Sequence, residues 1–309
     1  MCPLPRPLPV LVMLLSVLAV LPGVSHAARA TRLPVVVTFS ILGDLVQQVG
    51  GEHTAIRVLV GPDTDAHTYE PIPADGVALT HAAVLFELGL GFEPWLEALY
   101  RAARTTAQRV VATQGLSGLL RVPGGLAERP GDTDPHVWHD VAYVVQMVQV
   151  IRDALKRYDA PHAAAYEANA ARYLDSLQQL DTWVQQHVAT LPAGRRKLVT
   201  AHDTFGYFAR RYGFEVLGTV LESFTTEAAD PSGAALARLV DTIKATGVPA
   251  IFAENIQHPR RLQHVAASAG VTLAPALYTD ALGRPGSAGA HYLAMMRHNV
   301  TTIVQALQP

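Results

Sequence analysis

Residues 34–60 read PVVVTFSILGDLVQQVGGEHTAIRVLV, and their pattern changes twice. PVVVTF (34–39) is short and rich in β-branched residues, which predicts a strand. ILGDLVQQVG (41–50) spaces its apolar residues by three and four, as a helix does, and stops at Gly50-Gly51. AIRVLV (55–60) is again a strand. A strand, a helix and a strand within so few residues imply parallel strands joined by a crossover helix. The same alternation continues outward. A helix is expected over 73–82, a strand at AVLFELG (83–89), a helix at EPWLEALYRAA (93–103) and a strand at RVVA (109–112).

The pattern then breaks. Residues 113–135 form a loop rich in Gly, Pro and Asp, followed by DTDPHVWHD (132–140), with Asp140 as the N-cap of a long helical region. Pro161 begins a second helix in which Tyr166, Ala170, Tyr173, Leu177, Leu180 and Val184 form one apolar stripe. At 1.5 Å per residue such a helix is about 40 Å long, too long for a simple crossover, and it reads as a connecting strut. Beyond it the alternation restarts, with strands at 197–200, 215–220, 249–254 and 271–275. Helices are expected at 203–213, 232–247, 259–270 and 288–307. The fold class is α/β: two lobes, each a mainly parallel sheet flanked by helices, joined by one long rigid helix. The divisions fall at 28–160 for the first lobe, 161–190 for the strut and 191–309 for the second lobe.

The 309 residues are 50% hydrophobic and 16% charged, with a net charge of −2. Sizeable cores are therefore available. The basic residues do not cluster, which argues against nucleic acid as a partner. The first 27 residues carry Arg6, the apolar run VLVMLLSVLAVL (10–21), the break Pro22-Gly23 and the small residues Ser25-His26-Ala27. This is the pattern of a cleavable export signal, cut after Ala27, and the periplasm is the expected destination. The single cysteine, Cys2, lies inside it. No thiol remains for disulfides, zinc or catalysis, and no cysteine follows the apolar run to carry a lipid anchor. Any metal must be held by imidazole and carboxylate.

In open α/β sheets ligands bind beyond the carboxyl ends of the strands. There the sequence places His67 after the second strand, His136 after the fourth, His202 after KLVT (197–200) and Asp280 after VTLAP (271–275). Three imidazoles and a carboxylate suit a four-coordinate site. His139, three residues past His136, stands as an alternative from the same stretch, and Trp138 reads as packing that fixes the loop. The remaining histidines read as surface or hydrogen-bonded residues, and Glu254 as a buried salt-bridge partner.

The segments GPDTDAHTYEP (61–71), DPHVWHD (134–140), TAHDTFGYFARRYG (200–213) and LYTDALG (277–283) resemble the signatures of the zinc/manganese substrate-binding proteins of bacterial metal ABC importers. The resemblance runs through nearly the whole mature chain, strut included. It implies His67, His136, His202 and Asp280 as the metal ligands, a membrane permease as the partner, a monomer and no enzymatic activity. It implies zinc first and manganese second, because manganese-preferring members usually carry Glu where this chain has His202. Many zinc members also have a long His-rich loop in the first lobe; residues 113–133 contain no histidine, and a periplasmic metallochaperone could take over its task. Three rival readings are a zinc hydrolase using Glu222 or Glu254 as base, an organic-solute binder stacking its ligand on Tyr69, Trp138, Phe205 or Tyr278, and an adhesin. No HExxH motif supports the first.

Overall fold

A computed structural model describes residues 1–4, 32–121, 133–221, 223–226 and 231–308. The expected export signal lies almost wholly outside the described residues, as do Glu222 and residues 122–132 of the loop before His136. Cys2 is a free, exposed thiol. No described helix is long and apolar enough to cross a membrane.

Arg32–Pro309 form one compact unit. Its first lobe contains β1 (Leu33–Phe39), α1 (Ser40–Gly50), β2 (Thr54–Val60), α2 (Pro73–His81), β3 (Val84–Glu87), α3 (Leu96–Ala103), β4 (Gln108–Val111) and α4 (Val141–Tyr158). The strands are all parallel, in the order β2-β1-β3-β4. Val35 of β1 lies opposite both Ile56 and Val84. From Val35 to Phe39 every residue of β1 is buried, as expected of a parallel strand covered on both faces.

The strut is α5 (Ala163–Ala189), 27 residues long. All six residues of its predicted stripe are buried. The second lobe follows with β5 (Lys197–Thr200), α6 (Gly206–Tyr212), β6 (Glu215–Thr219), α7 (Gly233–Thr246), β7 (Ala250–Glu254), α8 (Arg260–Ala269), β8 (Thr272–Leu277) and α9 (Tyr292–Leu307). Here β5 pairs with β6 and β7 with β8, both in parallel, while β5 lies beside β7. The path across the lobe is thus β6-β5-β7-β8, the same walk as in the first lobe.

The helices divide by face. Side chains alternate along each strand, so Val36 and Leu85 point to a small outer core with Leu79 and Leu96 from α2 and α3. Likewise Val199, Ile251 and Ala253 point outward to Ile243 and Val265 from α7 and α8. The opposite faces, including Val35, Val37, Phe86, Leu198 and Phe252, all join one core that runs through α1, α4, α5, α6 and α9. The strut is therefore the spine of a shared interior.

Candidate metal centre

Four loops at the carboxyl ends of β2, β4, β5 and β8 converge. His67, His136, His202 and Asp280 each offer a ligand atom within 4.8 Å of all the others, the only such cluster among the described residues. His67 is 4% exposed and the other three are fully buried. His136 Nε2 lies 3.3 Å from His67 Nε2 and 3.3 Å from His202 Nε2. Asp280 Oδ2 lies 3.3 Å from His67 Nε2 and 3.1 Å from His202 Nε2, and Oδ1 lies 3.6 Å from His136 Nε2. Four N/O ligands placed tetrahedrally at about 2.0–2.1 Å from an ion are about 3.3–3.4 Å apart. The five distances cluster around that edge length. Asp280 Oδ2 is close to two imidazoles yet makes no well-aligned hydrogen bond. An acceptor oxygen gathered among imidazole nitrogens, with no hydrogen bond of its own, suits a candidate metal ligand.

The imidazoles are oriented from behind. Asp134 Oδ1 lies 2.8 Å from His136 Nδ1 and also accepts the His136 backbone N–H at 2.9 Å. Glu254 Oε2 lies 2.6 Å from His202 Nδ1, while its Oε1 accepts the N–H groups of Ala201 and His202 at 2.8 and 3.0 Å. Carboxylates so placed fix the tautomer and turn Nε2 toward the cluster. His202 stands in a loop, and α6 begins at Gly206 rather than at residue 203 as expected. Glu254 holds its backbone, and Thr200 Oγ1 donates to its carbonyl at 2.9 Å, so helical geometry begins only at Gly206.

Burial pushes the Asp134 carboxyl up to about 7 and holds the His136 imidazole well below its usual range. Burial alone would depress His202 as well, but Glu254 and Asp280 outweigh it and hold the imidazole well above its ordinary value. Burial would raise Asp280, yet His202 and His136 hold it well below the usual carboxylate range.

His139 is not among the converging residues. It is fully buried, its ring stacks on Phe205 at 4.5 Å and 28°, and neither ring nitrogen has a hydrogen-bond partner. Burial, then the charge of His136, takes it down to about 3, so it acts as a neutral aromatic spacer. Leaving a buried polar group unpaired costs about 1–3 kcal/mol. His139→Leu is accordingly expected to raise stability by about 1 kcal/mol with metal affinity unchanged, as measured by urea unfolding and chelator competition; a lost ion would return His139 to the ligand set.

Trp138 ties loops together. It is fully buried against Phe39 and Phe92. Its Nε1 donates to Thr279 O at 2.8 Å, next to Asp280, and its own carbonyl accepts Tyr292 OH at 2.7 Å. The Asp280 loop is closed tightly, since a Cβ at Gly289 would sit 2.4 Å from the Tyr278 ring. Elsewhere, His53 stacks on His162 at 4.2 Å and His291 Nδ1 faces Asp44 at 3.3 Å, ordinary structural roles. Sequence reasoning passed over Asp134; its signal was a carboxylate two residues before a candidate ligand. Glu254, the pair partner of His202, was signalled by an acid ending a wholly apolar strand.

Residues 35–306 match the family described as zinc-uptake complex component A, periplasmic. The chain is 36% identical over 275 residues to the manganese-binding lipoprotein MntA of Halalkalibacterium halodurans, covering 89% of this chain and 88% of that one. It is 32% identical over 301 residues to the zinc-binding protein TroA of Treponema pallidum, covering 94% and 96%. The solved structure of the periplasmic zinc-binding protein TroA superposes with a TM-score of 0.82 at 28% identity, over 90% of this chain and all of that one. The chain belongs to this family of periplasmic metal-binding components of ABC importers, proteins that deliver metal to a membrane permease and are not enzymes. The name of the Halalkalibacterium relative, a lipoprotein, stands against the expectation of an unanchored chain.

Proposed function

We propose that the protein captures zinc in the cleft between its lobes, with His67, His136, His202 and Asp280 as the four ligands, and hands it to an ABC permease for import. The observation that carries this reading is the set of five inter-ligand distances between 3.1 and 3.6 Å. Three imidazoles and one carboxylate favour a borderline-soft ion such as zinc over hard cations that prefer oxygen. Manganese is the second reading. It is favoured by the manganese named for the MntA relative and by both Asp280 oxygens facing the cluster, since a bidentate carboxylate adds a fifth ligand. On this reading the lobes of residues 28–160 and 191–309 grip the ion, the 161–190 strut restrains their motion, and docking on the permease parts them. Zinc arrives without a histidine-rich loop, directly or from a metallochaperone, and the protein works as a monomer after leaving the cytoplasm.

The test is metal analysis of untagged protein with competitive zinc and manganese titrations by calorimetry. Zinc is expected to bind more tightly and to release a proton. The sign follows from His202, whose raised pKa keeps it protonated in the ion-free site at neutral pH. The ion must displace that proton, so affinity rises with pH toward the raised value and falls as pH drops. Equal heats in buffers of different ionisation enthalpy, meaning no proton release, would count against His202 as a ligand. Tighter manganese binding would replace zinc as the cargo.

A further inference from the structure

Asn255 lies one residue past Glu254, at the end of β7, and its side chain spans two of the ligand loops. Its Oδ1 accepts the N–H of Thr279 at 3.1 Å. Its Nδ2 donates to Ala281 O at 3.2 Å and to Asp63 Oδ1 at 2.9 Å. Its backbone N–H donates to Leu277 O at 2.9 Å. Thr279 and Ala281 flank Asp280, and Asp63 stands in the loop that carries His67. A single amide therefore holds the Asp280 loop on both sides and reaches across to the His67 loop, while the preceding residue, Glu254, holds His202.

Asp63 is fixed in return. Its φ is +53°, in the left-handed region that side-chain-bearing residues seldom occupy. Such a conformation persists where the surroundings over-determine it. Here its N–H donates to Leu282 O at 2.9 Å, Asn255 grips one carboxylate oxygen, and Arg284 Nε lies 3.6 Å from the other. Arg284 is 82% exposed, so that ion pair is screened and contributes little. The amide contact is the better shielded of the two.

We propose that Asn255 is a positioning residue for cargo retention: by bonding Asp63 it registers the His67 and Asp280 loops against β7, and the ion escapes when that bond opens. The inference rests on the reading of the four converging residues as ligands. Asn255 is suited to it because one short side chain supplies both an acceptor and two donors. An aspartate at 255 would place two carboxylates face to face.

The experiment uses the full chain loaded with zinc, measuring release to excess chelator by stopped flow, beside the visible absorption spectrum of the cobalt-loaded protein. Loss of a hydrogen bond to a charged group corresponds to about a tenfold change in rate. Asn255→Ala and Asp63→Ala are each expected to speed release about tenfold. The double variant should be no faster than the faster single one, because the bond that Asp63→Ala removes is already gone in Asn255→Ala. Asp63→Asn keeps an acceptor oxygen in place and should stay within about twofold of wild type. The cobalt spectrum should not change in any of them, since no ligand is altered. Wild-type release from Asn255→Ala, or additive effects in the double variant, would overturn the proposal. If Asn255→Ala does not fold, Asp63→Ala in its exposed loop gives the same reading. A wild-type chain that takes up no zinc would instead fail the ligand assignment itself, a result separable from equal release rates.

Discussion

Asp280→Ala is expected to weaken zinc binding by about 10²-fold or more. Four-ligand zinc sites have apparent binding free energies of about 10–16 kcal/mol at neutral pH, so one ligand accounts for about 3 kcal/mol, or roughly two powers of ten. Asp280 should exceed an average share. It is the sole anion of the four, and it faces His67, His136 and His202 at 3.1 to 3.6 Å in a fully buried centre. Removing it leaves three neutral donors to hold a doubly charged ion in a poorly solvated pocket. Chelator competition measures the loss, with His139→Leu as the control that leaves affinity intact. An affinity for Asp280→Ala within threefold of wild type would remove the residue from the coordination shell.

Trp138→Ala is expected to cost about 3–5 kcal/mol of stability, the range for deleting a large aromatic from a packed core. The ring is enclosed by Phe39, Phe92 and His136, and its Nε1 is the link from the His136 loop to Thr279. The loss should therefore appear twice: in urea unfolding of the ion-free protein, and in weaker zinc binding as the His136 and Asp280 loops decouple. Trp138→Phe separates the two contributions. It restores most of the packing and still leaves the buried Thr279 carbonyl without its donor, at about 1–3 kcal/mol. Full stability and affinity in Trp138→Phe would show that packing alone sets the loop.

The features legible in the sequence are those with a local period. The β1-α1-β2 unit announces itself through a change of spacing, and the strut through a stripe from Tyr166 to Val184 that is buried throughout. The candidate ligands could be picked out because each lies in the loop that follows a strand, at the carboxyl end of its sheet, and the chemistry of histidine is distinctive. Features built from distant partners could not be read in this way. Glu254 and His202 are 52 residues apart, and Asn255 and Asp63 are 192 apart; no periodicity connects them. The start of α6 was set too early because Asp203 and Thr204 fit a helical pattern, while the grip of Glu254 on the preceding backbone keeps that turn open. His139 looked like a competitor of His136 because spacing alone does not distinguish a nitrogen facing the four-residue cluster from one sealed against Phe205.

The inner faces of the strands in both lobes share a single apolar interior with the spine helix, and the outer faces rest on two small satellites. Neither half of the polypeptide encloses its own oily wall. A fragment ending at the turn before α5 would display the strut-facing sides of α1 and α4 to water, and the complementary fragment would display α5, α6 and α9. Heat should therefore melt the molecule as one body rather than lobe by lobe. What remains free to breathe is the rind, α2 with α3 and α7 with α8, whose amides should exchange with solvent well before those buried along the axis.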